Sequence, residues 1–202
     1  MNKIKIINKL LIVLSILADT VCLILTLLGK YNSNILICLS YYVIVFVPII
    51  CRKLKLKVNS IIELIYLLFV IVACLFGSIL HFYGLIYWFD SFTHYVSGML
   101  TALLGFILLI RFDKLDKKSY LFNITYIIFV SLAVAALWEI FEFTADNVLG
   151  GDAQKVLETG VTDTMKDIIC AFLGSILISF CYLYEYVNDK KLIVKNSIQS
   201  LK

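Results

Sequence analysis

The sequence predicts an all-α fold, a polytopic membrane bundle of six transmembrane helices with both chain ends on the cytoplasmic side. Three observations predict it. Of 202 residues, 62% are hydrophobic and only 16% are charged, against roughly a quarter charged in a soluble domain. The apolar residues gather into six runs of spanning length. The basic residues fall almost entirely on alternate connections between those runs. A soluble globule of this size leaves too much of its chain at the surface to hide so many apolar side chains. A soluble enzyme, a disordered chain and a nucleic-acid binder are therefore excluded, and the net charge of +4 reports orientation rather than a nucleic-acid partner.

The runs lie at 10–29, 34–51, 59–80, 89–110, 120–142 and 165–187. The first follows Lys3, Lys5 and Lys9, as a signal peptide would. Its apolar stretch is longer than a signal core and no small-residue cleavage site follows, so it reads as an uncleaved first span. Pro48, the only proline, should kink the second span near its cytoplasmic end, because it removes a helical N–H. The third to sixth spans are bounded by charged or glycine-containing loops. The longest connection, 147–162, holds a Gly150–Gly151 turn and room for a short interfacial helix near 153–158. Six helices of about 20 residues consume roughly 60% of the chain, so residues 1–202 read as a single integral membrane domain in the cell (inner) membrane.

Orientation follows from the basic residues. Fifteen of the 18 fall on one side: Lys3, Lys5, Lys9, Arg52, Lys53, Lys55, Lys57, Arg111, Lys114, Lys117, Lys118, Lys190, Lys191, Lys195 and Lys202. Only Lys30, Lys155 and Lys166 fall on the other. The positive-inside rule makes the first side cytoplasmic. The six cysteines lie in or at the end of apolar runs, with no CxxC or Cys/His cluster, so they read as small buried hydrophobes.

The acidic residues are distributed differently. Asp113, Asp116, Glu185 and Asp189 mix with the cytoplasmic lysines and read as solvated surface; Asp19 lies within span 1 and Glu63 near the inner end of span 3. The other eight of 14 (Asp90, Glu139, Glu142, Asp146, Asp152, Glu158, Asp163 and Asp167) fall at or near the outer face, with both histidines, His81 and His94. Asp152 and Glu158 read as loop charges, His81 as interfacial, and Trp88 and Trp138 as interface anchors.

Spacing selects among the rest. Asp90 and His94 are i,i+4, and Gly98 and Ala102 continue their face inward. Glu139, Glu142 and Asp146 share a face that Ala135 and Ser131 extend. Asp163 and Asp167 are i,i+4, followed by Ala171 and Gly174. Small residues mark where membrane helices approach closely, so the three polar faces should converge on one pocket, with His94, Glu139 and Asp167 deepest. Asp163 stands where an N-cap belongs and Asp90 near a helix start, where acids stabilise the positive helix end. Glu139, Glu142 and Asp146 stand at a helix C-terminus, where the dipole disfavours them. Lys166 is the only base within these polar segments. Carboxylates in low dielectric must be protonated, paired or metal-bound.

The set Asp90-x-x-x-His94, Trp138-Glu139-x-x-Glu142, Asp163-Thr164-x-x-Asp167 and Gly174 resembles the bacterial inner-membrane family that includes YjdF. It is similar, more distantly, to the VanZ-like membrane proteins, which carry Asp-x-x-x-His early and Asp-x-x-x-Asn-x-x-Gly late. Ala171 stands where that second pattern has Asn, and Glu-x-x-Glu replaces its Glu-x-x-Gln. The resemblance spans roughly residues 81–180 and implies an integral inner-membrane protein, without assigning a chemistry.

The residues support three functions. The first is a metal-assisted enzyme acting on a membrane lipid or lipid-linked envelope substrate. Asp90, His94, Asp163 and Asp167 would ligate a divalent ion such as Mg, Mn, Ca, Fe or Zn. Glu139 or Glu142 would be the general base, with Asp146 at the rim. Neither a Ser-His-Asp nucleophile elbow nor a glycine-rich phosphate loop is present. The second is a small transporter or cation- or proton-binding protein, in which Asp19 carries a path inward; against it, transporter sites lie near the bilayer midplane. The third is a structural or accessory protein whose polar groups only join helices, each contact worth about 0.6–2 kcal/mol.

Overall fold

The computed structural model describes residues 2–53, 60–115 and 119–188. Several residues of the orientation argument (Lys55, Lys57, Lys117, Lys118, Lys190, Lys191, Lys195 and Lys202), and the surface reading of Asp116 and Asp189, lie outside the described residues. The described residues are helical, without a strand. They form α1 (Asn2–Leu27), α2 (Ile35–Val45), α3 (Val47–Lys53), α4 (Ser60–Val70) continuing as a π-helical segment (Ile71–Ile79), α5 (Phe82–Leu85), α6 (Phe89–Arg111), α7 (Tyr120–Leu149), α8 (Val156–Thr159) and α9 (Thr162–Val187). Five are long and apolar enough to cross a membrane once α4 and its π-helical continuation are taken together. The bent pair α2–α3 adds a sixth if its two helices form one span. Leu14, Val43, Phe129, Ile140 and Phe180 are exposed, an arrangement that water would penalise and lipid accepts.

The helices form two compact units, Met1–Phe89 and Asp90–Lys202. In the first, Ile12, Cys38, Tyr41, Val45, Leu67, Val70, Leu75 and Ile79 make the core. The bend of 40° between α2 and α3 falls at Phe46, two residues before Pro48. Proline cannot donate to the carbonyl four residues earlier, which is that of Ile44. The Tyr66 hydroxyl of α4 donates to this carbonyl at 2.8 Å, so the kink leaves no orphaned acceptor. Glu63, buried at 2% exposure, takes both carboxylate oxygens to Arg52 Nη1 at 2.7 Å. One of the residues that counted toward orientation is thus also the partner of a buried acid.

The second unit is built from α6, α7 and α9 around Ala102, Phe106, Leu109, Ile127, Ile178 and Tyr182. Along α7 every fourth residue from Asn123 is buried: Asn123, Ile127, Ser131, Ala135 and Glu139. This i,i+4 seam faces the unit's interior. Asn123 Nδ2 donates to the Tyr182 hydroxyl at 2.8 Å. Helices α6 and α9 cross in backbone contact: a Cβ on Gly98 would strike the Ala171 backbone, and one on Gly174 the Tyr95 carbonyl. Ser131 Oγ donates to the Gly98 carbonyl at 3.2 Å and receives the Thr101 hydroxyl at 3.0 Å. Glu185 departs from its expected place at the solvated surface. It is fully buried, because it continues the 178, 182, 185 face of α9 that packs the core. α7 has 30 residues and stays helical past the apolar run, carrying Glu142 and Asp146 on its last turns.

Gly98→Ala should lower the thermal midpoint in detergent by the equivalent of about 1–3 kcal/mol, the usual cost of overpacking. Gly84→Ala, where nothing lies within 4 Å of the added Cβ, should leave it unchanged.

Candidate carboxylate–histidine site

The polar ends of α6, α7 and α9 meet in the second unit, with the α7–α9 loop beside them. Asp90 is in the first turn of α6 and His94 one turn on. His94 Nε2 lies 3.6 Å from Asp90 Oδ1 and 3.7 Å from Asp167 Oδ2. One donor atom from each of Asp90, His94 and Asp167 lies within 4.8 Å of the other two, the only such group of three or more His, Cys, Asp or Glu among the described residues. Glu139, 5% exposed, sits within electrostatic reach of His94 and Asp167. Its Oε2 receives the Gln154 amide at 3.2 Å, whereas Oε1 is buried with no hydrogen-bond partner.

The loop supplies the two residues that spacing alone missed. Gly150 ends α7 in the left-handed conformation, φ 74°, which costs glycine little. Asp146 then accepts the Ala153 N–H at 2.8 Å and the Gln154 N–H at 3.1 Å. It works as a clamp on the loop rather than as a member of the cluster. Gln154, buried at 7% exposure, donates its side-chain amide to the Glu139 carbonyl and Oε2 and to Thr164 Oγ1. The clamp places the next residue, Lys155, on the carboxylates. Its ammonium donates to Asp90 Oδ2 and lies 3.4 Å from Asp163 Oδ2. Burial lowers the Lys155 pKa, but Asp90 and Asp163 outweigh it, so the net direction is upward. The signal for this role was available: Lys155 is one of three bases on its side of the sequence.

Other expectations are redrawn. Lys166, the base inside the α9 polar segment, is exposed, whereas Asp163 and Asp167 are buried; the cluster's cation comes from the loop instead. Asp163 lies in the first turn of α9, after the N-cap Val161. It joins the cluster through Lys155 rather than through the His94 group. Glu142 Oε1 accepts the Trp138 indole N–H at 2.8 Å, one turn back along its own helix. His81 belongs to the first unit, with Nε2 at 2.6 Å from the Asn32 carbonyl. Asp19 is also there, fully buried, with both carboxylate oxygens lacking a hydrogen-bond partner. The short helix expected near 153–158 is α8, a single turn.

These features define the class: a multi-pass, all-α membrane protein with a buried carboxylate–histidine cluster at one end of three crossing helices. The chain belongs to the family described as Predicted membrane protein (DUF2238), whose model matches residues 10–188. The YjdF-like resemblance points to this same family, and the VanZ-like one finds no support in the match. No curated protein and no solved structure matches the chain.

Lys155 carries a pH prediction. Its folded-state pKa lies above the ordinary 10.5, so its ion pairs stabilise the fold fully below that value and are lost as pH rises through the raised one. Lys155→Met should therefore unfold at a lower temperature than wild type between about pH 7 and 9. The gap should close only above about pH 10.5, as thermal melts across pH would record.

Proposed function

We propose that this protein is a metal-assisted enzyme of the cell (inner) membrane, acting on a lipid or lipid-linked substrate at the extracytoplasmic face. Asp90, His94 and Asp167 bind the divalent ion, and Glu139 is the general base. The observation that carries the reading is the coincidence of two features. Three ligand atoms of the right chemistry share one small volume, and beside them stands a buried carboxylate oxygen without a partner. Donors around a tetrahedral ion at about 2.1 Å are roughly 3.4 Å apart, near the 3.6 and 3.7 Å separations from His94. Carboxylates with one imidazole suit Mg, Mn, Fe or Zn.

The metal, when bound, supplies Lewis-acid polarisation of a substrate oxygen. The chain's own residues do the remainder. Glu139 Oε1 accepts a proton from the attacking group while Gln154 holds Oε2 and the carboxylate plane. Glu142 is a weaker candidate for base because Trp138 engages its Oε1. The close crossing at Gly98 and Gly174 favours an enzyme over a transporter, since backbone contact beneath the cluster leaves no route inward between α6 and α9. A cation- or proton-binding role keeps one specific support, the unpartnered carboxylate of Asp19. Placement on the extracytoplasmic side rests on the positive-inside distribution.

Metal content of the purified protein, after incubation with Mn²⁺ or Zn²⁺ and desalting, tests the reading. Wild type should retain about one ion per chain, and Asp167→Asn and His94→Ala should retain at least tenfold less while melting as cooperatively as wild type. A metal-free wild type would sink the proposal. Proton or cation flux in proteoliposomes that vanishes with Asp19→Asn would favour the second reading.

A further inference from the structure

The proposed ligand set leaves Lys155 without a role, and its geometry suggests one. Asp90 has two separate engagements: Oδ1 faces His94, and Oδ2 accepts the Lys155 ammonium. A metal held by Oδ1, His94 and Asp167 therefore does not require Lys155 to leave. Ion and ammonium would stand side by side, sharing one carboxylate.

An ammonium has three N–H donors. Asp90 and Asp163 engage two, and the side chain remains 32% exposed. The third donor and an open position on the metal form a two-point receptor for an oxygen anion. Position supports this: Lys155 lies in the loop between the candidate spanning helices α7 and α9. Asp146 and Gln154 fix the loop beside it, so the ammonium is preorganised rather than a flexible surface charge.

Charge balance sets the order of binding. Without metal, one ammonium faces Asp90, Asp163, Asp167 and Glu139, and any anion is repelled. A divalent ion lowers the net charge of these groups from −3 to −1, so the metal removes most of the repulsion that an anion would meet, and anion binding should depend on it. A phosphoryl group fits two adjacent cationic points better than an ester carbonyl, because its several anionic oxygens bond both at once.

We propose that Lys155 is the phosphoryl-recognition residue of this site, and that the substrate class is a phosphate monoester, carried on a lipid headgroup or free in solution. This rests on the metal reading above.

Calorimetric titration of the full chain in detergent, with and without Mn²⁺, tests it. The probes are inorganic phosphate and short-chain phosphatidic acid, with short-chain phosphatidylcholine as control. Wild type should bind inorganic phosphate or phosphatidic acid at least about tenfold more tightly with Mn²⁺ than without, the scale of one charged hydrogen bond. Lys155→Met should lose about tenfold in that affinity without any weakening of Mn²⁺ binding, since it removes a cation from the ligand Asp90, and Lys155→Arg should recover the phosphate affinity. In wild type, bound probe should shield Lys155 from amine-directed acetylation, read by mass spectrometry, which needs no variant to fold. Binding of phosphatidic acid alone identifies the lipid source, and equal binding of inorganic phosphate identifies the free one. Failure of Mn²⁺-loaded wild type to bind either probe, or unchanged affinity and acetylation at Lys155, overturns the inference and leaves the metal reading standing. Failure to bind Mn²⁺ overturns both.

Discussion

The backbone contact of α6 with α9 at Gly98 and Gly174 is the constraint on which the rest of the second unit depends. Lipid offers no hydrophobic drive to press helices together, so association relies on packing and interhelical hydrogen bonds. Glycine permits the approach, and Ala171, Ala102 and Ser131 keep the neighbouring positions narrow. Because Asp90 and His94 lie two turns and one turn before Gly98, and Asp167 two turns before Gly174, the crossing brings the acids and the imidazole close together. A wider crossing would separate them.

Electrostatic economy governs the polar groups of both units. A carboxylate taken out of water is costly unless a partner compensates it. Glu63 is answered by Arg52, and Asp90 and Asp163 by Lys155. Glu139 is half answered, with Gln154 on one oxygen and nothing on the other. Asp19 has no partner at full hydrogen-bond geometry, with only the Cys38 thiol and Tyr42 hydroxyl nearby. The two incompletely satisfied acids lie in different units, Glu139 beside the carboxylate–histidine cluster and Asp19 in the first unit.

Much of the site was legible in the sequence because helical spacing is a reliable guide to which residues share a face. Asp90 with His94, Asp163 with Asp167, and Glu139 with Ala135 and Ser131 were each placed by counting, and the structure puts them on the interior. What counting cannot reach is a contact made by a loop. Lys155 and Gln154 lie outside any periodic pattern, and their positions come from a glycine turn and the Asp146 clamp. Glu185 was misplaced for a related reason. Its charged neighbours suggested solvent, while its register on α9 buried it.

The sequence by itself determined the solvent of this protein and its all-α, multi-pass class, because apolar length and low charge admit no aqueous fold. It also determined the faces of the helices, because rise and twist are properties of the local chain. Only the tertiary structure decided which carboxylate meets which cation. That choice depends on how closely the helix backbones cross and how the α7–α9 loop turns back, and both are set by contacts between residues far apart in the chain.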